Sequence, residues 1–117
     1  RSADPVFLNR LLSAYPRLSL ILAMPANTSR ESLLPLLDVA RRHRNLVFDL
    51  AAGSGQHGLI SWLAGQVGAS QIVFGSGFPL HHFAYPLGRV QFSDLSDRDR
   101  ARILYENAAR LFYTHRK

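Results

Sequence analysis

Apolar residues along the chain fall into two patterns, short near-continuous runs and longer stretches at helical spacing, and the two alternate. Asp4-Pro5 reads as an N-cap followed by proline at the first helical position. That helix should run to about Ala14, because Pro16 pushes Tyr15 out of the helical region. Leu18 to Ala23 (LSLILA) is nearly all apolar, the pattern of a strand buried on both faces. Thr28 with Glu31 three residues later forms a capping box for a helix through about His43. Pro35, in its early turns, offers Ser32 as the alternative start. Leu46 to Leu50 (LVFDL) is a second buried strand. Glycines 53, 55 and 58 then lead into a helix with Leu59, Ile60, Leu63 and Val67 on its apolar face. Gln71 to Phe74 (QIVF) is the third strand, followed by a Gly-, Pro- and His-rich loop from Gly75 to about Pro86. Ser96 and Asp99 make another capping box. The last helix reaches about Phe112, with Ala101, Leu104, Ala108, Leu111 and Phe112 as its apolar stripe.

The order α-β-α-β-α-β-α, with helical crossovers between apolar strands, predicts an α/β fold with parallel strands and right-handed βα units. Three parallel strands are few. Such a sheet either leaves two hydrophobic edges open or pairs them with another chain.

At 117 residues the chain allows one domain, spanning 1–117. Its 47% hydrophobic content is too high for disorder, and its longest apolar stretch, Leu18 to Ala26, is too short to cross a membrane. With no cysteine, a disulfide framework, a zinc ribbon and a thiol nucleophile are all excluded. No signal-peptide pattern is present, although the first residue is Arg1 rather than Met, and a cytoplasmic protein is expected. The charge of +6 comes from 13 arginines and Lys117 against 8 acids. Only Arg41-Arg42-His43-Arg44 is a compact basic cluster, and it falls at a helix end, where the dipole favours cations. Nucleic acid is therefore not the expected partner.

Four segments, in order, resemble the C-terminal end of the metal-dependent amidohydrolase family that includes aminocarboxymuconate-semialdehyde-type decarboxylases. They are Tyr15-Pro16-Arg17-Leu18 leading into LSLILA, Arg44-Asn45-Leu46-Val47-Phe48-Asp49-Leu50, Gly68 to Pro79 (GASQIVFGSGFP), and Leu95-Ser96-Asp97 with Ile103-Leu104 and Asn107-Ala108-Ala109-Arg110-Leu111-Phe112. The resemblance implies a (β/α)8 TIM barrel, which typically takes about 250 residues. The three strands would be its last three, an incomplete barrel. The first strand's H-x-H metal pair and the fifth strand's His have no counterpart here.

Two departures change what the resemblance implies. The family's sixth-strand His aligns with Met24, and its eighth-strand Asp, a metal ligand, aligns with Gly77. A thioether is a poor ligand for a hard or borderline cation, and glycine offers no side chain. The chain is therefore expected to carry no catalytic residue, metal or cofactor of its own. It reads as a silent fragment or degenerate paralogue, a pseudoenzyme acting as an assembly or binding module. The implied partner is a second copy or the missing barrel segment. The alternative is a residual hydrolase or decarboxylase completed by a missing segment or partner chain.

Candidate binding residues for a small-molecule ligand lie on the loops after the strands. Gly75, Ser76, His81 and His82 follow the third strand, at the barrel face where sites gather. Gly53 and Gly55 belong to G-x-G-x-x-G (Gly53 to Gly58), which with Asp49 also resembles an adenosylmethionine-binding turn. That nucleotide or adenosylmethionine reading lacks an acidic residue at the end of the next strand, since no Asp or Glu lies between Asp49 and Asp94. Trp62, at helical spacing with Leu59, is expected in the core. Tyr85 either lines a site or covers the sheet.

Overall fold

The computed structural model describes residues 4–24, 28–50, 58–75 and 84–113, with Tyr85 described for its backbone alone. Helix α1 (Pro5–Ala14) starts where the pattern predicts, with the Asp4 carboxylate accepting from the Val6 N–H at 3.0 Å. Three strands follow, β1 (Leu20–Ala23), β2 (Leu46–Asp49) and β3 (Ile72–Val73), all parallel and in the spatial order β1-β2-β3. Helices α2 (Arg30–Arg42) and α3 (Leu59–Val67) make the crossovers. The predicted α/β class and parallel pairing hold.

One face of the sheet carries the core. Leu46, Phe48 and Leu50 of the central strand region and Ile72 of β3 join Leu8 and Leu12 of α1, Leu37 of α2 and Leu63 of α3. Strand alternation puts Ile21, Ala23, Val47, Asp49 and Val73 on the other face. The expectation that LSLILA is buried on both faces is wrong. β1 begins only at Leu20, its exposure alternates, and Ile21 is 38% exposed, because β1 is an edge strand.

Three other local expectations are corrected. The cap of α2 is Ser29, not Thr28. Ser29 Oγ accepts from the Ser32 N–H at 3.2 Å, and Ser32 Oγ accepts from the Ser29 N–H at 2.8 Å, while Thr28 is buried. Ser32, the proposed alternative start, therefore completes the capping box. Gln71 belongs to a 3₁₀ turn (Ala69–Gln71), which leaves β3 only two residues long. The loop predicted to extend to Pro86 gives way at Ala84 to a further helix, α4 (Ala84–Gln91). Pro86 sits in its first turn, where backbone N–H groups lack intrahelical acceptors, so proline is tolerated.

The last helical rod also departs from its predicted stripe. It consists of α5 (Asp97–Ala101), a π-helical turn (Arg102–Glu106) and α6 (Asn107–Phe112). The wider turn shifts the helical phase. Ile103 and Asn107 become the buried positions, whereas Ala101 and Phe112 are exposed and Leu104, Ala108 and Leu111 are half-buried. The Asn107 N–H reaches back five residues to the Arg102 carbonyl. The Ile103 carbonyl instead accepts from the Phe74 N–H at 3.0 Å.

Candidate functional site

The C-terminal ends of the strands are where the barrel resemblance places chemistry. Met24 follows β1 directly, and its N–H donates to the Asp49 carbonyl at 3.2 Å. Two positions beyond Leu22, it falls on the helix-covered side, only 2% exposed and part of the hydrophobic core. Asp49 closes β2 on the opposite face, in register with Ala23 and Val73. Leu50 donates to the Val73 carbonyl at 3.1 Å, which ties the end of β2 to β3. Gly75 lies just past β3, half-buried. Ser76, Gly77, His81 and His82 lie outside the described residues, as do Gly53 and Gly55.

Gly58 has φ of +74°, a conformation that favours glycine, and it caps α3 without a side-chain bond. A Cβ there would come within 3.0 Å of the Arg30 guanidinium. That guanidinium lies 5.8 Å from the centre of the Trp62 ring. Trp62 packs partly against the core, as expected, with Arg30 over its ring.

The basic cluster is used within the fold. Arg41 Nε donates to the Gln66 carbonyl at 3.1 Å, and Arg44 donates to the Val67 carbonyl at 2.9 Å, so both neutralise the C-terminal end of α3. The His43 ring donates to Asn9 Oδ1 at 2.9 Å, joining α2 to α1.

The motif residues behind the family resemblance largely serve as clamps at the opposite, N-terminal end of the sheet. Asn45 Nδ2 donates to the Leu18 carbonyl and, at 3.4 Å, to that of Pro16. Asn107, 1% exposed, donates to the carbonyls of Ala69 at 2.6 Å and Ile72 at 2.7 Å. Arg110 reaches the Ser70 carbonyl at 3.1 Å. Gln71 joins them, donating to the carbonyls of Ala40 at 2.9 Å and Leu46 at 2.8 Å. A buried polar side chain needs such partners, but the sequence does not say which carbonyls they are.

A divalent cation, which the family resemblance implies, does not fit this donor set. Met24, which the resemblance sets at the sixth-strand imidazole, carries a thioether enclosed in the core, and Gly77, which it sets at the eighth-strand carboxylate, has no side chain to offer. Among the described residues, no three His, Cys, Asp or Glu side chains converge as a metal site.

Comparison with known proteins agrees with the fold. The chain superposes on the crystal structure of a 2,6-dihydroxybenzoate decarboxylase complexed with 2,6-dihydroxybenzoate, with a TM-score of 0.64 and 19% sequence identity. The similarity covers 95% of this chain but 41% of that one, so three βα units here stand against a complete TIM barrel. No curated protein matches the sequence. The amidohydrolase family model, by contrast, matches residues 1–113, nearly the whole length. This chain belongs to the amidohydrolase family.

Proposed function

We propose that this chain is a catalytically silent amidohydrolase-family module, a fragment or degenerate paralogue that acts through assembly rather than turnover. The observation that carries this reading is Met24. At the strand end where a metal-dependent relative needs an imidazole, this chain has a thioether packed into its core. Gly77 removes the second donor. If a small molecule is bound, the residues to hold it are Gly75, Ser76, His81 and His82, with Gly53 and Gly55 on the neighbouring loop.

One observation favours a second reading, a residual metal-dependent hydrolase or decarboxylase completed by a missing segment or partner chain. The matched decarboxylase is more than twice the length covered here. An assay of carbon dioxide release from 2,6-dihydroxybenzoate, with Zn²⁺ or Mn²⁺ supplied, separates the two. The silent module shows no turnover above the protein-free rate. Turnover that disappears on chelation overturns it and favours the enzyme.

A further inference from the structure

We draw no further inference here: the strongest candidate, the side-chain cluster of Arg44, Arg110 and Ser70 at the N-terminal end of the sheet, belongs to the scaffold clamps already described, its guanidinium groups donating to the backbone carbonyls of Val67 and Ser70.

Discussion

Replacing Asn107 with leucine should lower folding stability by about 3 kcal/mol, because two buried carbonyls each lose a donor at about 1–3 kcal/mol apiece. The side chain is 1% exposed, and its amide donates to Ala69 and Ile72 at 2.6 and 2.7 Å. Leucine fills similar space, so the loss isolates the hydrogen bonds from a cavity. Urea unfolding at one fixed protein concentration measures it, since association would otherwise shift the midpoint. A loss below about 1 kcal/mol, within the net worth of one ordinary hydrogen bond, would mean that the two carbonyls find other donors. The clamp would then not be what holds β3 to the last helix.

Phe48→Ala should cost more, about 4 kcal/mol, the usual range for a large aromatic removed from a packed core. Phe48 is fully buried at the centre of the middle strand, in register with Leu22 on one side and Ile72 on the other. Both neighbours are tied to helices on the same face, so the site has little freedom to collapse around the void. The midpoint of thermal unfolding should fall by roughly 20 °C for a chain of this size. A fall of only a few degrees would place the core elsewhere than on this face of the sheet.

Much of the fold was legible in the sequence wherever burial and pattern coincide. α1 has its Asp-Pro start, β2 its apolar run Leu46 to Phe48, and α3 its stripe of Leu59, Ile60, Leu63 and Val67, all four of them buried. The departures share a physical cause: each depends on what the residue meets. The run Leu18 to Ala23 reads as a buried strand, yet its position at the sheet edge exposes alternate residues. Thr28-Glu31 and Ser29-Ser32 are both plausible boxes, and the backbone forms the second. The π turn cannot be seen in the apolar spacing, because Ile103 and Leu104 are both apolar and either could face the core. Pro86 and Gly88 conceal α4 because they look like breakers, although proline in a first turn is not one.

The candidate site was legible in a narrower sense. The swap at Met24 can be read from the motif, but that its side chain belongs to the hydrophobic core takes the fold to establish. The histidines at 81 and 82 and the glycines at 53 and 55 lie outside the described residues. Asn45, Asn107 and Arg110 stand in the family-like segments, and in the structure they bind backbone carbonyls at the other end of the sheet. A motif can thus carry family identity while its polar residues support the scaffold rather than chemistry.

Metal content tests the central claim most directly. The protein is equilibrated with Zn²⁺ or Mn²⁺, freed of unbound ion by gel filtration, and analysed by inductively coupled plasma mass spectrometry. A chain with a core thioether and a glycine at the two donor positions should retain only traces. One equivalent of metal per chain, lost when His81 and His82 are changed to alanine, would contradict the account and restore the hydrolase.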